Sequence, residues 1–309
     1  MRWSSRGRSN AARAAWLAAG GLATAACSLV VSTDDLTGGP ALGDAGSDVT
    51  ADALVTVDSN VPRDDGAIDG AVDAARDASP PDAAASYRDV VMSDTPVAYW
   101  RLGATPGATT VADEVGKYPG TVHGGVTAGV AGALSGDTAM RFDGTSGVID
   151  MGDVLGFTAH APFSLEAWIS PDVVDANFRD VVSKIVGHTN PDAGLLFDGY
   201  SFLLQSARGC HFVLCVSELD CASPRVVAPP TGTFTHVVAT YDGAVATIYF
   251  DGAVKLAQPF GAALVATTAH FFIGGEVAGG FWQGVIDEVA VYDRALAPAR
   301  VTAHFLARH

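Results

Sequence analysis

From residue 87 onward, apolar and polar residues alternate in short runs. Residues 163–170 read Phe-Ser-Leu-Glu-Ala-Trp-Ile-Ser, and residues 235–241 read Thr-His-Val-Val-Ala-Thr-Tyr. A period of two puts successive side chains on opposite faces, the signature of a strand packed on a core. Runs at 97–102, 139–142, 181–186, 200–206, 211–217, 271–274 and 281–292 read the same way, separated by clusters of Gly, Pro, Asn and Asp. Asp242-Gly243 lies between runs 234–241 and 245–250, and Asp251-Gly252 between 245–250 and 253–257. Asp-Gly tolerates the positive φ of a tight hairpin, so these three runs are expected to form a meander. Only 297–307 reads as a helix, with a possible turn at 87–92. The expected fold is all-β, a two-sheet antiparallel β-sandwich of the jelly-roll kind.

The preceding residues have a different pattern. Arg2, Arg6, Arg8 and Arg13 form a positive start, followed by an apolar run at 14–26. That run falls short of the roughly 20 residues that span a bilayer, and it reads as a secretory signal, residues 1–26. Thr24-Ala25-Ala26-Cys27 is similar to a lipoprotein cleavage site, with Cys27 lipidated, although Thr24 stands where Leu is usual. Ordinary cleavage after Ala23-Thr24-Ala25 is the alternative. Residues 27–86 are rich in Ala and Asp, lack aromatics and carry only Arg63 and Arg76 as cations. Such a stretch buries too little apolar area to offset its ordering entropy. It reads as a disordered acidic tether of roughly 40–45 Å end to end.

Charge narrows the partners. The chain carries 34 acidic against 18 basic side chains, a net charge of −16. Lysines occur only at Lys117, Lys184 and Lys255, which argues against a nucleic-acid partner. Export implies an oxidising compartment. Cys215 and Cys221 flank the turn Glu218-Leu219-Asp220 and can face each other across a hairpin; Cys210 with Cys221 is the alternative.

Several segments together resemble the laminin-G-like, concanavalin A-like lectin/glucanase jelly-roll domains of bacterial surface proteins. They are Tyr87-Arg88-Asp89-Val90-Val91 with Ala98-Tyr99-Trp100-Arg101-Leu102, Met140-Arg141-Phe142-Asp143-Gly144, Phe163-Ser164-Leu165-Glu166-Ala167-Trp168, the stretch from Thr235 to Gly243, Tyr249-Phe250-Asp251-Gly252, and the stretch from Ile286 to Leu296. Phe234 stands where such domains often have Trp. The resemblance covers 87–309 and implies two stacked sheets, carbohydrate or protein binding and, in some members, a structural Ca2+.

Strict alternation in 285–292 puts Asp287 on one face with Val285, Val289 and Val291. A carboxylate among valines needs hydrogen bonds or a cation. The resemblance implies calcium held by Asp287 with Asp113 and a carbonyl near Gly116; the alternative is that Asp287 caps backbone amides. Trp100 and Trp168 match core strands, whereas Trp282, beside Gly279-Gly280, is the candidate for stacking on a sugar ring. Tyr118 and Tyr200 are lesser candidates.

Catalysis is not expected. No Glu-x-Asp-x-Glu strand occurs, and although Glu166 and Glu288 could in principle meet across a sheet, nothing in the sequence places them together. The histidines show no metalloprotease spacing, His236 reads as a packed histidine, and Ser164, Ser183 and Ser217 lack a nucleophile-elbow context. The expectation is a secreted surface or outer-membrane lipoprotein, or a soluble extracellular form. It would bind glycan or, alternatively, an envelope or extracellular protein, and would meet the membrane through its lipid.

Overall fold

The computed structural model of the protein describes residues 85–309 apart from 191–193, 207–208, 217–219 and 277–278. The expected signal at 1–26, lipidation of Cys27 and nearly all of the 27–86 tether lie outside the described residues. Helix α1 (Tyr87–Ser93) opens the domain, and Ser86 caps it by accepting from the Asp89 amide. Helix α2 (Pro298–Leu306) closes it, with Pro298 at its first turn, where a missing amide hydrogen costs nothing.

Two antiparallel sheets lie between the helices in sequence. The first runs, by strand order, β15 (Ala253–Pro259), β14 (Val245–Phe250), β13 (Thr235–Tyr241), β7 (Phe163–Pro171), β17 (Gln283–Tyr292), β5 (Thr138–Asp143) and β4 (Val126–Ala131), with β1 (Ala98–Trp100) also on β17. The second runs β11 (Asp220–Ala222), β10 (Gly209–Val216), β9 (Gly194–Gln205), β8 (Arg179–Asn190), β16 (Phe272–Ile273), β6 (Val148–Asp150), β3 (Gly120–His123) and β2 (Thr110–Val111), with β12 (Arg225–Val226) on β10. The β13–β14–β15 meander forms as its Asp-Gly turns require. Asp251 and Gly252 both have positive φ, 51° and 76°, which an Asp-Gly pair adopts at little cost.

Alternation places Phe163, Leu165, Ala167 and Ile169 of β7 and Tyr200, Phe202 and Leu204 of β9 in one buried core between the sheets. The larger apolar side chains among these, such as Phe163, Leu165 and Ile169, each contribute on the order of 1.5–3 kcal/mol by leaving water. The opposite face of β7 carries Ser164, Glu166 and Trp168. It is roofed by both helices, where Tyr87, Val91, Trp168, Tyr292 and Val301 make a second, smaller core.

Strict alternation fails in β17. The pairing with β7 shifts register between Asp287 and Ala290, and Glu288 has a φ of 50°. This β-bulge inserts one residue and changes the phase of the strand. Ile286, Val289 and Val291 therefore enter the main core, whereas Ala290 and Tyr292 belong to the helix-covered face. The expectation that Asp287 shares a face with Val289 and Val291 is corrected by the bulge.

Candidate functional site

The outer face of the second sheet is built by register. Thr121 pairs with Asp150, Asp150 with Phe272, Phe272 with Ser183, Ser183 with Ser201, and Ser201 with Val213. One row of side chains thus crosses five strand pairs on the face opposite the core. Its two halves differ. Around β8 to β10, Phe178, Phe197, Leu203, Val213 and Cys215 form an apolar cluster. Beneath it Asp180 and Ser201 are fully buried and hydrogen-bonded to each other.

The other half is open. Thr121, His123 and His270 are exposed, and His270 Nδ1 lies 2.9 and 3.0 Å from the two Asp150 carboxylate oxygens. The His270 ring stacks on Phe272 at 5.9 Å between centroids. This half offers a carboxylate acceptor beside a flat ring, both reachable from solvent. No sequence motif flagged Asp150 and His270, because they are 120 residues apart and meet only through the pairing of β6 with β16.

Trp282 does not contribute to it. Its side chain is fully buried in the main core, so it presents no face to a sugar and the stacking role is overturned. The exposed ring on this face is that of His270, which stacks on the buried Phe272. Trp100 and Trp168 are buried as expected, Tyr200 is a core residue and Tyr118 packs partly against the core.

A second cluster lies at the bulge. Asp137, Asp287 and Glu288 each offer an oxygen, all within 4.8 Å of one another. Both bulge carboxylates are fully buried. Burial raises Asp287 to a pKa of about 7 and, with the neighbouring Asp287 charge, raises Glu288 to about 8. Arg101 donates to Glu288 Oε1 from Nε (3.0 Å) and from its terminal nitrogen (2.9 Å), and pairs with Asp137. The Tyr99 hydroxyl donates to Glu288 Oε2. Asp287 Oδ2 accepts from the Ala133 amide at 2.8 Å, whereas Oδ1 is buried without a hydrogen-bond partner. A Cβ on Gly132 would lie 2.7 Å from Asp287 Oδ2, so the β4–β5 turn needs glycine there to approach.

Asp113, expected to hold calcium with Asp287, is engaged by backbone amides. Asp113 spends both oxygens on the amides of Tyr99, Val115, Lys117 and Tyr118, at 2.8–3.0 Å. Gly116 closes the same turn by donating to the Asp113 carbonyl. Calcium takes six to eight oxygens, and a carboxylate engaged by four amides is a poor donor to it. Asp113 pins β1 to the loop after β2, and Asp287 meets Asp137 and Glu288 instead of Asp113.

A third cluster surrounds Glu166, beneath the helices. Its oxygens accept from the hydroxyls of Tyr87 (2.9 Å) and Tyr292 (2.7 Å) and lie near His236 Nε2 (2.7 Å) and His304 Nδ1 (3.0 Å). Burial opposes its ionisation, but His304 and His236 outweigh burial and hold Glu166 below the ordinary carboxylate range. Burial likewise opposes charge on His304, and Glu166 and Asp94 overcome it, so its pKa is raised.

Cys215 and Cys221, paired across β10 and β11, form the disulfide, and Cys210 is a buried free thiol. The Cys210–Cys221 alternative is thereby excluded. Among the described residues no helix is long and apolar enough to cross a membrane.

Residues 143–302 match the family described as the Concanavalin A-like lectin/glucanases superfamily. No curated protein matches the sequence. Among solved structures, the binding domain of Paraclostridial Mosquitocidal Protein 1 is 14% identical with a TM-score of 0.52, over 69% of this chain and 52% of that one. The receptor binding domain of the botulinum neurotoxin C/D mosaic serotype is 12% identical with a TM-score of 0.52, over 70% and 52%. Domain 4 of AbnA, an arabinanase from Geobacillus stearothermophilus, solved with arabinotriose, is 21% identical with a TM-score of 0.49, over 62% and 91%. The chain spans about half the length of the two toxin domains. At these identities the toxin domains show a shared fold.

Proposed function

The chain belongs to the concanavalin A-like lectin/glucanase superfamily, and from that premise we propose that it is a carbohydrate-binding module without catalytic activity. The supporting observation is the open half of the second sheet's outer face. There the Asp150 carboxylate and the His270 ring, stacked on Phe272, stand together at the surface. Sugars are held by acceptors for their hydroxyls and by flat rings against their C–H faces, and this patch supplies both.

The non-catalytic reading rests on the two glutamates. Glycoside hydrolysis needs two carboxyl groups open to a substrate between them. Glu166 and Glu288 are both fully buried, one held by two tyrosines and two histidines, the other by Tyr99 and Arg101. Their environments hold the fold together and leave no room for a substrate.

A glycan array probed with the purified chain tests the reading. Binding lost in Asp150→Ala and in His270→Ala, with unfolding midpoints unchanged, supports it. Binding that survives both substitutions moves the site elsewhere, and new reducing ends from a polysaccharide panel would make the protein a hydrolase.

A protein partner is the second reading, favoured by a different surface. An open cleft of about 680 Å³ lies between the 226–235 connection and the edge strand β15, lined by Val227, Pro229, Pro230, Phe234 and Lys255. Val227 is 88% exposed and Val254 on the edge 52%. An empty array together with a protein crosslinked at Val227 would favour this reading. Export and anchoring through Cys27 belong to the same proposal, supported by the charged start and apolar run at the N-terminus.

A further inference from the structure

Three acidic side chains crowd the bulge in β17, and any of them that ionises in the interior needs a positive partner. Asp137, Asp287 and Glu288 bring oxygens within 4.8 Å of one another, two of the three residues being fully buried. We propose that the Arg101 guanidinium is the resident cation of this cluster, filling the place a divalent metal would take, so that the domain closes its sheet edge without calcium.

The donor geometry carries the proposal. Arg101 reaches Glu288 through two nitrogens at 2.9 and 3.0 Å and pairs with Asp137 through one of them. It thereby joins the β4–β5 turn to the bulge from its own place just beyond β1. A planar guanidinium spans two carboxylates as a fork, which a metal would otherwise do with a shell of oxygens. The remaining oxygens are largely committed. Asp287 Oδ2 accepts from Ala133, Asp137 Oδ1 from the Thr138 amide at 2.8 Å, and Glu288 Oε2 from Tyr99. Only the buried Asp287 Oδ1 lacks a hydrogen bond. A cation needing six to eight oxygens finds one oxygen without a hydrogen bond and a guanidinium already between Glu288 and Asp137. Removing the guanidinium would free Glu288 Oε1 and Asp137 Oδ2, in a cluster where Asp287 brings a third acidic oxygen within 4.8 Å.

The test is independent of the glycan reading. Terbium, a calcium mimic that emits when a nearby tyrosine sensitises it, is titrated into the full chain and into Arg101→Gln, with Tyr99 as the sensitiser. The acidic stretch before residue 87 has no aromatic in 27–86 to report binding there. Wild type is expected to show no sensitised emission and the same unfolding midpoint in chelator and in millimolar calcium. Arg101→Gln is expected to gain saturable emission and a calcium-dependent rise in midpoint of about 5–10 °C. Arg101→Lys, which keeps the charge, is expected to behave as wild type. Saturable emission or a chelator-sensitive midpoint in wild type would overturn the proposal, as would a folded Arg101→Gln that gains neither response. If Arg101→Gln does not fold in chelator, recovery of the fold by calcium supports the proposal; without recovery, the wild-type titration decides by the same criteria.

Discussion

Asp94, the residue that ends α1, places its Oδ2 2.7 Å from Nε2 of His304 on α2, across 210 residues of chain. The other imidazole nitrogen lies 3.0 Å from both oxygens of Glu166. One ring thus ties the two terminal helices to each other and to the centre of the first sheet. Arg300 adds a second tie to Asp94 at 2.7 Å. Replacing His304 by Leu leaves Glu166 in the interior without its main compensating charge. The expected loss is about 3–5 kcal/mol, read from the urea midpoint. Asp94→Asn, which keeps a hydrogen-bonding group at the protein's edge, should cost about 1 kcal/mol.

The buried acids and His304 set the pH profile. Glu166, with its pKa lowered, adds stability above its unfolded value, and this is lost as pH falls through the folded one. His304, with its pKa raised, adds stability below its unfolded value, lost as pH rises through the folded one. Asp287 and Glu288 keep protons to about 7 and about 8, whereas the unfolded chain releases them near pH 4, so they weaken the fold as pH rises between those limits. The unfolding midpoint should therefore be highest at about pH 5 and fall toward about pH 9. Circular dichroism melts across that range check it; a midpoint that climbs from pH 5 to pH 8 contradicts the assignment.

Gly274 turns the chain after β16 with a φ of 83°, and a Cβ there would lie 2.2 Å from Cε1 of the Phe142 ring. Gly274→Ala combines left-handed strain with overpacking, for a loss of about 2–4 kcal/mol. Gly136→Ala has similar strain, with a φ of 75°, but meets nothing within 4 Å, so about 1–2 kcal/mol is expected. Denaturant midpoints of the pair separate the two effects.

The Cys215–Cys221 bridge closes a separation of six residues. A loop this short removes little unfolded-state entropy, so reduction should cost about 2 kcal/mol. Cys210 is fully buried and its thiol pKa is raised by that burial. It should react with a thiol reagent only once the domain unfolds, which mass spectrometry of labelled native and denatured protein can read.

Side-chain periodicity carried most of the architecture. Phe163 to Ser170 and Thr235 to Tyr241 alternate cleanly enough to assign their inner faces, and the Asp-Gly turns place the meander. Short strands such as Thr110–Val111, Val148–Asp150 and Asp220–Ala222 were not legible, because two or three residues cannot display a period. They are held by partners rather than by their own sequence. The turn expected at 87–92 is instead a helix of seven residues, too short to persist alone and stabilised by burying Tyr87 and Val91.

The clusters show where local reading ends. Alternation, propensity and turn chemistry act between neighbours in the chain, so they determined the longer strands and most of the core, and left the pairing of Cys221 with Cys215 or Cys210 to the fold. Which residues meet across strands depends on register and on bulges. One inserted residue at Glu288 rotated Val289 and Val291 into the core and left Asp287 beside Asp137, not Asp113. Asp150 with His270, Arg101 with Glu288 and Asp94 with His304 are likewise pairings between distant segments. A short-range pattern cannot encode them, because their proximity exists only once both sheets and both helices have closed.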